Sequence, residues 1–150
     1  MNEIRNFMTR SAHAIGHDQS LKLANERMHH FGIHHLPVLD ADVLVGVLSE
    51  RDIALIGAIS PHKVEETSVE DAMSTEPYAV DPNTDAELVT AHMAEHKHGC
   101  AVVMEGHKVV GVFTSTDAIS LLTVLLHESK DSTAAQRALT RYADTLTQAK

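Results

Sequence analysis

The chain has 150 residues, 43% of them hydrophobic, and its 12 Lys+Arg stand against 21 Asp+Glu, a net charge of −9 with histidine neutral. That charge repels a phosphate backbone, and the cations Arg5, Arg10, Lys22, Arg27, Arg51 and Lys63 are scattered singly, which argues against nucleic acid and anionic lipid as partners. The single Cys100 excludes an internal disulfide, the charged start MNEIRNFMTR is unlike a secretion signal, and the apolar run Leu121 to Leu126 is far too short to span a membrane, so a soluble, cytoplasmic protein is expected.

In chain order, the first element is a short apolar strand at His13-Ala14-Ile15. A polar cap, Asp18-Gln19-Ser20, precedes apolar residues at helical spacing, Leu21, Ala24, Met28 and Phe31. Two apolar runs follow, Leu36 to Leu39 and Val43 to Leu48, parted by Asp40-Ala41-Asp42, which predicts a hairpin. A helix over 51–59 ends the unit. Pro61 and a polar stretch over 62–68 lead to a second unit in which the same order returns: Tyr78-Ala79-Val80, then the cap Asn83-Thr84-Asp85, then a less regular helix with Leu88, Met93 and Ala94 inward. Its hairpin takes Ala101 to Met104 and Val109 to Phe113, and its closing helix 116–127.

A shift of 65 residues superimposes the two units without a gap, setting Met8 on Met73, Leu23 on Leu88, Met28 on Met93, Val45-Gly46-Val47 on Val110-Gly111-Val112 and Asp52 on Asp117. The expected fold is therefore α/β: two β-α-β-β-α repeats, 1–60 and 69–127, a linker 61–68 and a helical extension 128–150. In the extension, Asp131 or Ser132 caps a helix with Ala135, Ala138, Leu139, Tyr142 and Leu146 on one side.

Two Ser/Thr-x-x-Asp pairs stand where a strand runs into a helix, Ser49 with Asp52 and Thr114 with Asp117. Such a pair can cap the helix, and beside free backbone N–H groups it can also bind an anion; both readings stay open. Of twelve histidines, seven cluster at His29, His30, His34, His35 and at His92, His96, His98. His92 and His96 share a helix face and are the candidates for a metal, although no cysteine pair or His-Glu-x-x-His spacing accompanies them. Cys100 opens an apolar strand and reads as a buried thiol rather than a nucleophile. No catalytic constellation or phosphate-binding glycine loop is present, so no enzyme is expected.

Three pieces, each occurring twice, resemble the CBS domain, the tandem module named after cystathionine β-synthase. They are the openings Met8-Thr9 and Met73-Ser74, the strand lead-in Gly32-Ile33-His34-His35-Leu36-Pro37-Val38 with its counterpart Lys97-His98-Gly99-Cys100-Ala101-Val102, and the endings Gly46-Val47-Leu48-Ser49-Glu50-Arg51-Asp52 and Gly111-Val112-Phe113-Thr114-Ser115-Thr116-Asp117. The resemblance implies a pseudo-twofold pair with a cleft on either side that takes adenosyl ligands: AMP, ADP, ATP, S-adenosylmethionine or a dinucleotide. It gives Asp52 and Asp117 the ribose and Ser49 and Thr114 the phosphate. The adenine slots fall to His13, Ala14, Ile15, Ile33, His34 and His35 in one cleft, and to Tyr78, Ala79, Val80, His98, Gly99 and Cys100 in the other.

Two departures matter. The second lead-in lacks the proline found at Pro37, so the clefts are not equivalent. Cations near them reduce to Arg10, Arg51 and Lys97, which favours AMP or a neutral adenosyl group over ATP. The resemblance further implies a regulatory sensor that signals to an unidentified protein effector, and a homodimer formed through exposed helices, with Phe31, Ile56, Leu122 and Leu125 as its face. A histidine-based metal sensor, or a dimerisation module without ligand, is the alternative on the same scaffold.

Overall fold

Each repeat starts its first helix on a side-chain cap. The Ser20 hydroxyl accepts from Leu23 N at 3.2 Å to begin α1 (Leu21–Phe31), and the Asp85 carboxylate accepts from Glu87 N at 2.8 Å to begin α4 (Ala86–His96). Both helices stop on a left-handed residue, Gly32 at φ 63° and Lys97 at φ 58°, the same place in the two copies. The computed structural model describes residues 2–10 and 13–148 and divides into two compact units, Met1–Ser115 and Thr116–Lys150.

In the first unit, β2 (Ile15–Gly16) pairs parallel with β3 (His35–Asp40), which pairs antiparallel with β4 (Val43–Ser49). The second copy repeats this with β5 (Ala79–Val80), β6 (Cys100–Glu105) and β7 (Lys108–Thr114). β4 runs into α2 (Glu50–Ile59), and β7 into α5 (Ser115–Glu128). Ile15, Leu21, Ala24, Met28, Leu36, Val38, Leu48, Ile53 and Val69 form one core cluster, while Val89, Met93, Val102, Val103 and Phe113 are buried in the second copy. Leu88, expected to face inward, is 66% exposed, and Ala86, Val89 and Met93 are the inner positions of α4. The linker, read as a polar loop, holds a one-turn helix, α3 (Lys63–Glu66), beside α1 and α2.

The sequence repeat hides an exchange. Ahead of the first copy's β2, residues 2–5 lie on the second copy: Ile4 N donates to Thr84 O at 2.8 Å, Arg5 N to Pro82 O at 3.1 Å, and Asn2 O accepts from Ala86 N at 2.7 Å. Shifted by 65, the same three bonds tie residues 67–70, the end of the linker and the opening of the second copy, to the first copy: Val69 N to Gln19 O at 2.8 Å, Glu70 N to His17 O at 2.9 Å, and Leu21 N to Thr67 O at 3.0 Å. Ile4 and Val69 are each wholly buried, and their removal from water drives the crossover. The strand pairing crosses in the same way. β1 (Thr9–Arg10) joins the edge of β7, giving a sheet ordered β1-β7-β6-β5, and Ser74 bridges Val47 of the sheet β2-β3-β4. Gly111 and Gly46 permit these contacts: a Cβ on Gly111 would stand 2.5 Å from Met8 Sδ and 2.8 Å from Thr9 O, and one on Gly46 2.6 Å from both Met73 Sδ and Ser74 O.

His17 fastens the opening of the second copy to the first. Its Nδ1 lies 2.9 Å from Glu70 Oε2 and its Nε2 3.5 Å from Asp40 Oδ1. The bond to Glu70, with the field of Asp40, outweighs desolvation and raises the imidazole pKa. A raised pKa means that the latch contributes fully below the ordinary histidine pKa and loses its contribution as pH rises through the folded value. Tm should therefore fall between about pH 6 and pH 8, and the part of that fall owed to the latch should vanish in His17→Gln; scanning calorimetry of both proteins across this range checks it.

In the second unit, α5 buries none of its residues, and α6 (Thr133–Gln148) leaves Leu139, Tyr142 and Leu146 exposed along one side. The Ser132 hydroxyl caps α6, accepting from Ala135 N at 3.4 Å; the other expected cap, Asp131, lies outside the described side chains. No helix among the described residues is long and apolar enough to cross a membrane.

Candidate cleft between the repeats

In the antiparallel pair β3 and β4, His35 is paired with Ser49, so the start of one strand and the end of the other lie at the same edge of the sheet. Ser49 there opens α2 as a reciprocal capping box. Its Oγ accepts from Asp52 N at 3.2 Å, while Asp52 Oδ2 accepts from Ser49 N at 2.8 Å and from Ser49 Oγ at 2.7 Å. One carboxylate oxygen of Asp52 is thus committed to the cap. Glu50 N donates to His34 O at 2.9 Å, and the exposed His34 holds Glu50 through its Nδ1 at 2.6 Å.

The second copy repeats the backbone part: Cys100 pairs with Thr114, and Ser115 N donates to Gly99 O at 3.0 Å. Thr114 ends β7 and Asp117 stands in the first turn of α5, in the order of Ser49 and Asp52. The lead-ins to β3 and β6 meet face to face. A Cβ on Gly99 would lie 2.7 Å from His35 Nε2, so the absent side chain is what admits the imidazole. Burial, then the neighbouring charge of His34, lowers the pKa of His35 and favours its neutral form. Burial likewise pushes the Cys100 thiol up to about 12, an inert group as the sequence implied.

The remaining slot residues differ between copies. In the first, His13 stacks on Phe31 with ring centroids 3.6 Å apart, Ala14 O accepts from Arg27 Nη1 at 2.8 Å, and Ile33 is half-buried. In the second, Tyr78, the counterpart of His13, stacks on His92 at 4.0 Å and lies parallel to His98 at 5.5 Å, while Ala79 is exposed. Phe31, expected on a dimer face, stacks on His13 and is 44% exposed, while Ile56, expected on the same face, is partly buried against the core.

His92 and His96, the metal candidates, stack face to face at 4.1 Å with an interplanar angle of 17°. Lone pairs in two such parallel rings run alongside each other instead of converging, and no group of three His, Cys, Asp or Glu among the described residues could hold a metal ion.

A feature missed in the sequence lies at the opposite end of β2 and β3. There a cleft of about 380 Å³ is lined by Ala14, His17, Asp18, Arg27 and Asp40, among others.

A family model for the CBS domain matches residues 4–58 and again 69–124. AcuB from Vibrio cholerae superimposes with a TM-score of 0.74 at 28% identity, over 88% of this chain and 98% of that one. Hypoxic response protein 1 of Mycobacterium tuberculosis is 27% identical over 118 residues, 78% of this chain and 82% of its own. A crystal structure of Hypoxic Response Protein I with two coordinated zinc ions aligns with a TM-score of 0.68 at 25% identity, covering 79% of this chain and 97% of that one. CBSX2, crystallised in complex with AMP, shares the fold at a TM-score of 0.72 and 23% identity, over 82% of this chain and 97% of its own.

Proposed function

Since this chain belongs to the CBS-domain family, with two copies in tandem over residues 4–58 and 69–124, we propose that it is a regulatory module whose inter-repeat clefts take an adenosyl ligand, AMP by preference, and whose occupancy is read by a protein effector. The observation that carries this reading is the meeting of the two strand lead-ins. His35 against Gly99 brings together residues of both slots, with Ser49 and Asp52 at a helix N-terminus beside them. Asp52 keeps one carboxylate oxygen outside its capping box for a ribose hydroxyl, and the first-turn amides of α2 suit a phosphate. The AMP complex of CBSX2 supports the choice of ligand. Asp117 and Thr114 take the same roles in the second cleft.

Ligand signals only if it prefers one arrangement of the molecule; equal affinity for two arrangements shifts neither. The module acts as a cytoplasmic homodimer in this reading, with the exposed Leu122 and Leu125 of α5 as its apolar contacts. Its role is regulation rather than catalysis.

A thermal-shift screen of ligand-stripped protein against AMP, ADP, ATP, S-adenosylmethionine and NAD, with zinc, cobalt and nickel beside them, tests the reading. A ligand at 100 times its Kd adds about 2.7 kcal/mol, which raises Tm by roughly 5–11 °C for a chain of this size. A shift with AMP supports the proposal. A shift with metal alone replaces it with a histidine-based sensor, and no shift with any ligand replaces it with a dimerisation module.

A further inference from the structure

Tyr78, His92, His96 and His98 form a four-ring cluster that neither the capping pairs nor the core accounts for. His92 stacks on Tyr78 at 4.0 Å and on His96 at 4.1 Å, and His98 lies 5.4 Å from His92, 5.5 Å from Tyr78 and 5.8 Å from His96, all with interplanar angles of 17° or less. The first copy has no such ladder. Its matching positions carry His13, Arg27, Phe31 and Ile33, of which only His13 and Phe31 stack on each other.

We propose that this ring stack is a proton-operated gate on the second adenine slot, closed while His92 is neutral and released when His92 takes up a proton. The proposal rests on the adenosyl reading above, since Tyr78 and His98 are two of the residues that reading assigns to the slot.

The geometry makes His92 the hinge. Its Nδ1 is buried and meets no hydrogen-bond partner. A lone pair without a partner is tolerable there, but an N–H in the same place would be a buried donor with no acceptor. Protonation therefore cannot be accommodated in the stacked position, and the ring must turn out to water. His96 does not supply the missing acceptor, because its ring lies parallel to that of His92 at 17° and its nitrogens do not point at His92 Nδ1. The Nδ1 of His96 lies 3.1 Å from the His92 carbonyl, which can only accept, so that nitrogen carries the hydrogen.

The groups facing His92 are Tyr78 ahead of β5, His98 ahead of β6, and His96 and Glu95 on its own helix. Desolvation and the two imidazoles lower its pKa, and Glu95 alone opposes them. With His92 stacked on Tyr78 at 4.0 Å, the closed stack covers that face of the Tyr78 ring, and only when His92 turns out can another ring lie on it. Adenine and the proton therefore both favour the open arrangement, and each strengthens the other's binding.

The test uses adenosine, which carries no phosphate to titrate, with affinity measured by calorimetry at pH 7.5 and pH 5.5. Linkage through one displaced histidine makes binding tighter at pH 5.5 by up to about tenfold. His92→Phe keeps the ring and discards the proton, so it should bind with the weaker affinity at both pH values; His92→Gln removes the stack and should bind with the tighter affinity at both. In parallel, NMR of the Tyr142→Phe protein, in which Tyr78 is the sole tyrosine, should show Tyr78 ring resonances moving together with the His92 titration below its ordinary range. Equal affinity at the two pH values, or Tyr78 resonances indifferent to the His92 titration, overturns the gate and leaves the adenosyl reading standing. Adenosine failing to bind at either pH while AMP binds overturns the gate alone; failure of both ligands overturns both readings.

Discussion

Gly111→Ala should destabilise the protein by about 2–3 kcal/mol and lower Tm by roughly 4–12 °C, although it adds a single methyl group. The added Cβ would press on Met8 Sδ at 2.5 Å and on the Thr9 carbonyl at 2.8 Å. The sulfur can swing away on its flexible side chain, but the carbonyl belongs to β1, held in register with Val112 and Gly111. Relief of the clash therefore means loss of the strand that the first copy lends to the second. Gly57→Ala is the control. Gly57 lies inside α2, its Cβ would meet only Val64 Cγ2 at an ordinary 3.5 Å, and the change should stabilise by about 0.5–1 kcal/mol. Thermal unfolding of the two variants beside the parent decides the matter: equal Tm for Gly111→Ala and the parent would mean that the crossover does not hold the pair together.

Asp52→Ala should weaken AMP binding by about tenfold to a hundredfold, the loss of one or two hydrogen bonds to a charged acceptor at about 1.5–3 kcal/mol. The same change removes half of the capping box and costs about 1 kcal/mol of stability, so an affinity loss alone is ambiguous. Ser20→Ala resolves it. That variant gives up the hydroxyl cap of α1 at a similar cost in stability, yet leaves Ser49 and Asp52 in place. Titration calorimetry should then show Ser20→Ala binding AMP far closer to the parent than Asp52→Ala does. Parallel loss in both variants would reduce the Asp52 effect to lost stability. If the loss falls in Asp117→Ala instead, the second cleft is the occupied one.

Much of the fold is legible in the residues because local signals are strong and occur twice. The caps at Ser20 and Asp85, the hairpins around Asp40 to Asp42 and Glu105 to His107, and the Ser49-x-x-Asp52 turn each depend on residues within a few positions of one another. Periodicity misplaces the inner face of α4 at Leu88 because Leu88, Val89 and Met93 are all apolar, and nothing chooses among them until a sheet covers one side. Ile56, placed on an exposed face by the resemblance, is partly buried against the core for a related reason: helical spacing identifies an apolar face and says nothing of what lies against it.

The repeat, its element order, the places where each helix begins and the residue types gathered at the two strand lead-ins all follow from the chain read alone. Short-range hydrogen bonding and hydrophobic periodicity, which act along the chain, are sufficient for them. Which copy each segment serves is settled only in three dimensions. Burial of Ile4 and Val69 sends the opening of each copy across to the other, Gly99 admits His35, and the offset that sets Arg27 opposite His92 turns one position into a backbone clasp and the other into the centre of a ring stack. These outcomes depend on contacts between residues far apart in the chain, where apolar area and the close approach of backbones, rather than local preference, determine the arrangement.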